Sequence, residues 1–225
     1  MKNTKNKVSI TSNGRSMIEM LGVLAIVGVL SVGGIAGFSK AMHRYRVNKT
    51  IEQITLIAGN VRTFFAPQKS YDGLNSYENP DVIKKAKLVP DEMWNGDSLQ
   101  DVWGNGVIIY TTCRTAECDN GIQKAFFINY NNIPEEACID LLTQDWSNAG
   151  VGMITVYNAE NAEAALQTGL NVIPPVSVDK AIRLCGTAAD DPDGVDEISF
   201  RFDVDVNDSL WKGDIDDTTA LLNGE

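Results

Sequence analysis

The chain begins polar and then turns apolar without interruption. From Met20 to Ser39 no residue is charged, a run of 20. A helix rises about 1.5 Å per residue, so this run spans roughly 30 Å, the hydrocarbon thickness of a bilayer. The helical pattern continues through HRYRVNKTIEQITLIAGNVRTFFAP, with no proline until Pro67. There Ile51, Ile54, Ala58, Val61 and Phe65 recur at three- and four-residue steps, an amphipathic stripe. The economical reading is one helix from about Ser16 to Ala66, roughly 75 Å long. Its first half, apolar all round, needs lipid or copies of itself, and its second half needs a sheet to cover one face. Gly22, Gly28, Gly33, Gly34 and Gly37 each lower helix propensity by about 1 kcal/mol. They suit small-residue packing in a membrane, and equally a segment able to kink.

Beyond Pro67 the pattern shortens. Residues 67–105 read as loop with one short helix, in which Asn79 caps, Pro80 opens, VIKKAKLV follows and Pro90 stops it. WNGDSLQDVWGNG is turn chemistry, with Trp94 and Trp103 as packing anchors. VIIYTTC (107–113) and QKAFFINY (123–130) pair as a hairpin around Asp119-Asn120-Gly121. A helix opens after Ile133-Pro134, with Glu135 and Glu136 in its first turn and Ala137, Cys138, Leu141 and Leu142 inward. MITVYN (153–158) reads as a strand and AENAEAALQ as a short helix. After Pro174-Pro175, Ser177 caps the helix VDKAIRLC, which ends at Cys185-Gly186. DEISFRFDVDV (196–206) alternates strictly, with Ile198, Phe200, Phe202, Val204 and Val206 on one face. The class is α+β, a long N-terminal helix packed on an antiparallel sheet.

Charge sets the compartment and excludes several functions. Lys2, Lys5 and Lys7 precede the apolar run with no acid among them, which places residues 1–14 in the cytoplasm and the bulk of the chain outside it. Lys40, His43, Arg44 and Arg46 make the other flank basic as well, and His43 reads as interfacial. The net charge of −11 argues against a nucleic-acid partner, which would call for a basic face. With one histidine and four cysteines there is little material for a zinc site or a His-based triad. No nucleophile–base pair or phosphate loop is legible, so no catalytic residue, metal or cofactor is assigned. The acidic stretch 191–196 lacks the spacing and distal glutamate of a calcium loop and reads as solvated surface. Trp146 and Trp211 read as packing residues before adhesive ones.

Four cysteines outside the cytoplasm allow three connectivities. Cys113 and Cys118 share one hairpin loop, which makes a local bridge plausible; two free buried thiols are the alternative. Cys138 and Cys185 each lie in a helix facing the sheet. Glu19 stands at the very start of the apolar helix. A carboxylate there either ends the span at the headgroups or marks a function.

A short basic leader, then Gly14, then Arg15-Ser16-Met17-Ile18-Glu19, then MLGVLAIVGVLSVGGIAGF resembles a type IV prepilin. AFFINYNNIPEEACIDLL, IRLCGTA and the final alternating strand resemble the C-terminal half of type IVb pilins. The resemblance implies a leader, 1–14, removed by a prepilin peptidase between Gly14 and Arg15, with Arg15 N-methylated. This chain has Arg15 where the family usually has Phe, Met or Leu. It implies a membrane and filament-core segment, 15–39, an amphipathic half, 40–66, and a globular head, 67–225. It also implies a Cys138–Cys185 disulfide bounding an exposed region, 138–185; this and the local Cys113–Cys118 bridge are the expected pairs. Glu19 is implied to face the N-terminal amine of a neighbouring subunit.

The implied function is that of a structural subunit. It would wait in the inner membrane as prepilin, then be built by an assembly platform and its ATPase into a surface filament of a Gram-negative bacterium. Adhesion, aggregation and conjugation are the candidate uses. The alternatives are a type II secretion pseudopilin, a minor pilin, or a signal-anchored periplasmic binding domain or enzyme.

Overall fold

The computed structural model describes residues 17–111, 124–157, 170–186 and 195–203. The predicted Cys113–Cys118 pair, the helix AENAEAALQ, the acidic stretch 191–194 and the strand end at Val204 and Val206 lie outside them. The chain divides into two units, up to His43 and from Arg44 onward.

Helix α1 runs Met17–Phe65, 49 residues, unbroken across all five glycines of its apolar half. Two hydroxyls within that half are satisfied locally. Ser31 donates to the Val27 carbonyl at 2.7 Å and Ser39 to that of Ile35 at 3.0 Å, so neither is left bare in an apolar setting.

From Arg44 onward the core is built on a sheet that, among the described residues, has the order β1-β2-β3-β4-β7-β5-β6, antiparallel at every pairing. The strands are β1 (Trp94–Asn95), β2 (Ser98–Gln100), β3 (Gly106–Tyr110), β4 (Phe126–Ile133), β5 (Val151–Tyr157), β6 (Leu170–Val172) and β7 (Val195–Phe202). The hairpin read from the two β-rich runs is present as β3–β4, with Ile109 opposite Ile128 and Val107 opposite Tyr130. Strand β7 lies between β4 and β5. Its register sets Phe202 opposite Phe126, Phe200 opposite Ile128 and Ile198 opposite Tyr130. These alternate residues form one buried face, in a single core with Ile54, Ile57, Ala58, Val61 and Phe65 of α1. Fully burying one such side chain is worth about 1.5–3 kcal/mol, so this stripe is what holds the second half of α1 to the sheet.

Aromatic rings knit the far end of this seam. Phe65 meets Tyr71 at 5.7 Å, Tyr71 meets Phe126 at 4.8 Å, and Phe126 stacks on Phe202 at 4.6 Å. Trp146 packs on Phe200 at 5.0 Å, and its indole N–H donates to the Leu141 carbonyl at 2.8 Å, so it is core and not an adhesive surface. Trp94 and Trp103 both pack against the core.

The opposite sheet face is polar yet largely buried. Asn129 donates to Glu197 at 2.6 Å, Thr155 donates to Asn171 at 2.6 Å, and the Arg201 guanidinium lies 5.2 Å from the Phe127 ring centre. Burial pushes the Glu197 carboxyl up despite the nearby Arg201 charge.

Helix α2 (Pro80–Lys85) starts at the expected proline, but Asn79 makes no side-chain cap. It also ends earlier than Pro90 would dictate, because Lys87 takes a φ of 50° and turns Leu88 and Val89 into the core. The segment read as pure turn chemistry forms the small β1–β2 hairpin, pivoting on Gly96 at φ 66°. Helix α3 (Glu135–Thr143) buries Ala137, Cys138, Leu141 and Leu142, the four expected residues. Helix α4 (Val178–Cys185) spans the expected segment, but Ser177 does not cap its backbone. Its hydroxyl instead helps hold the Asp179 carboxyl below the usual range.

Candidate assembly site

Among the described residues, the apolar half of α1 is left exposed. Met17, Leu24, Val29, Ile35 and Phe38 are each more than 60% exposed, all around the helix. An ideal Cβ added at Gly22, Gly28, Gly33, Gly34 or Gly37 would meet nothing within 4 Å. Among the described residues no contact therefore requires these glycines. Glu19 sits exposed in the first turn of the helix. Gly14 and Arg15 lie outside the described residues, so their relation to Glu19 rests on sequence alone.

Among the described residues no group of three or more His, Cys, Asp or Glu side chains is placed to hold a metal ion. What the head does show is a set of cross-links that fix the helix and the C-terminal elements to the sheet. Cys138 and Cys185 are joined by a disulfide, Cα–Cα 5.8 Å, tying α3 to α4 across 47 residues. Cys113 and Cys118 lie outside the described residues.

A second cross-link was not legible in the sequence. Arg62, one turn before the end of α1, donates to the carbonyls of Ala149 at 2.7 Å and Gly150 at 3.0 Å. It also donates to both carboxylate oxygens of Asp203, at 2.9–3.2 Å, a bidentate geometry. Its guanidinium lies over Phe202, 5.5 Å from the ring centre. The Tyr71 hydroxyl donates to the same Asp203 carboxylate. Burial and this bond together push the phenol well above its ordinary pKa. Asp203 itself has a φ of 57°, the left-handed region that a non-glycine residue adopts at a cost. The convergence of Arg62 and Tyr71 on its carboxylate offsets that cost. Arg62 and Asp203 are separated by 141 residues, beyond the reach of any local pattern.

Near the other end of the seam, Lys49 bridges Glu92 at 2.8 Å and Glu52 at 3.2 Å, and Gln53 donates to Glu92 at 3.3 Å. The bonds from Lys49 and Gln53 hold the Glu92 carboxyl below the usual carboxylate range. Asp101 behaves in the opposite way. One of its oxygens accepts the backbone N–H of Trp103 and of Asn105, both at 2.8 Å, but burial outweighs them and raises its pKa.

An α+β head with an N-terminal helix packed on an antiparallel sheet, a disulfide within its C-terminal part, and an apolar helix half left uncovered define the type IV pilin fold. A family model described as PilS N terminal matches residues 44–179, more than half of the chain. The chain belongs to this family, and it is a type IVb pilin-like protein. Among solved structures it is similar to the type IVb pilin from Salmonella typhi, with a TM-score of 0.50 and 17% sequence identity. The match covers 70% of this chain and 99% of that one. At that identity the likeness speaks to fold. No curated protein matches the sequence. Family and fold make it a structural subunit and not an enzyme.

Proposed function

We propose that this chain is a building subunit of a bacterial type IVb pilus, cut between Gly14 and Arg15 and polymerised through the apolar half of α1. The observation that carries the reading is the exposure of that half, 17–39, while the described residues from Val47 onward form a core of their own. Such a surface is stable only in lipid or among its own copies, and these are the two environments of a pilin before and after assembly.

In this reading the leader lysines hold residues 1–14 on the cytoplasmic side of the inner membrane until a prepilin peptidase removes them. Their loss takes the net charge from −11 to −14, a self-repulsion that lateral contacts must offset. Cleavage exposes an α-amine four residues before Glu19. In the filament core an unpaired carboxylate is costly, so Glu19 takes a neighbour's amine as its partner, with the Arg15 side chain, one turn away, as competitor. An assembly platform and its ATPase would supply the work of extraction from the membrane.

Electron microscopy of cells with and without the chain tests the reading. Filaments should appear only with it. Glu19→Ala should leave the subunit inserted and cleaved but cut filament number by at least ten-fold. Wild-type filament yield from Glu19→Ala would return Glu19 to a plain boundary residue.

A further inference from the structure

We propose that Asn95 is a site of spontaneous deamidation, a modification that sets a new carboxylate and an altered backbone in the exposed β1–β2 hairpin. The inference is independent of filament assembly.

An Asn-Gly pair is reactive because glycine leaves the following backbone nitrogen unshielded by a Cβ. That nitrogen attacks the asparagine Cγ. A C–N bond forms and closes a succinimide ring, the Cγ–Nδ2 bond breaks, and ammonia leaves with the backbone amide proton. Water then opens the ring at either carbonyl. One product is aspartate; the other is the isoaspartyl linkage, in which the main chain runs through Cβ and Cγ. No oxidant, metal or enzyme is needed. The requirements are a side-chain amide that nothing holds and a backbone able to rotate until nitrogen and Cγ meet.

Two Asn-Gly pairs lie within the described residues, and the fold treats them oppositely. Asn105-Gly106 is locked. The Asn105 amide donates to the Asn132 carbonyl at 2.8 Å, and its backbone N–H donates to the Asp101 carboxylate at 2.8 Å. Its carbonyl accepts the Asp101 N–H at 2.9 Å, and Gly106 continues into β3, paired with Gln100. At Asn95-Gly96 both residues are exposed. Among the described residues no hydrogen bond or ion pair holds the Asn95 amide, and the Gly96 N–H, in the turn between β1 and β2, donates to no acceptor. Gly96 takes a φ of 66°, and the Asn95 carbonyl accepts the Ser98 hydroxyl at 3.0 Å. Strand β1 is two residues long and outermost among the described strands. So short an edge opens at little cost, which lets the turn reach the reactive geometry.

Conversion changes both charge and shape. Each modified head gains one negative charge in a chain whose net charge is already −11. The isoaspartyl form lengthens the main chain and cannot keep Asn95 opposite Ser98. The Gly96 carbonyl, which Lys84 holds at 3.2 Å, moves with it.

The full chain, aged in mild detergent and mildly alkaline buffer and mapped by mass spectrometry of its peptides, tests this. Asn95 should convert at least ten-fold faster than Asn105, and its peptide should accept label from an isoaspartyl methyltransferase. In urea, with both pairs unfolded, the two rates should become comparable. Asn105 converting as fast as Asn95 in the folded chain would overturn the proposal. So would a gap that persists undiminished in urea, because the difference would then belong to the neighbouring residues and not to the hairpin.

Discussion

Replacing Gly150 with alanine should destabilise the head through a residue 88 positions away. Gly150 has a φ of 70°, and a Cβ there would stand 2.7 Å from one terminal nitrogen of Arg62 and 2.9 Å from the other. Two costs add. An L-residue in the left-handed region loses about 1 kcal/mol relative to glycine. The clash also displaces a guanidinium that bonds the Ala149 and Gly150 carbonyls and Asp203. A bond to a charged group is worth about 1.5–3 kcal/mol, but Arg62 and Asp203 are each about one-third exposed, so water recovers part of the loss and about 1.5 kcal/mol remains. Gly150→Ala should therefore cost about 2.5 kcal/mol in urea unfolding of the full chain in mild detergent. In an Arg62→Ala background only the backbone cost of about 1 kcal/mol should persist, a coupling of about 1.5 kcal/mol in the double-mutant cycle. Equal costs in both backgrounds would refute the clash and leave Gly150 a plain turn glycine.

The disulfide and two carboxylates give further tests. Replacing Cys138 and Cys185 together by serine should cost about 2–5 kcal/mol and reduce accumulation of folded subunit, read by unfolding and by immunoblot. Glu92 and Asp101 should act with opposite signs on stability against pH. Glu92, held low by Lys49 and Gln53, stabilises above its unfolded pKa, and that contribution is lost as pH falls through its folded value. Asp101, raised by burial, destabilises at neutral pH, and the penalty is relieved as pH falls through a folded pKa above the ordinary carboxylate range. Glu92→Gln should remove the first slope and Asp101→Asn the second in unfolding measured from pH 3 to 7. An Asp101→Asn profile identical to wild type would sink that assignment.

Long periodic segments could be read from the sequence because each repeats one physical demand many times. The stripe from Ile51 to Phe65 and the alternation from Ile198 to Phe202 left no competing period, and both stand as read. The β1–β2 hairpin and β6 were missed for the opposite reason. Strands of two or three residues carry no period, and around β1 and β2 the glycines of WNGDSLQDVWGNG dominate the local signal. Asn79 and Ser177 are the residue types that cap helices, yet neither side chain caps here, so composition at a helix start did not settle its bonding. The Arg62–Asp203–Tyr71 cluster depends on bringing three distant segments together. An arginine on the partly exposed edge of an amphipathic helix gives no hint of it. The apolar half of α1 is the converse case: its chemistry is plain in the run Met20–Ser39, while none of the described residues covers it.

Mass spectrometry of the subunit in filaments sheared from the cell surface tests the central claim most directly. The chain recovered there should begin at Arg15 and lack all three leader lysines. A subunit beginning at Met1 and found only in the membrane would contradict the account.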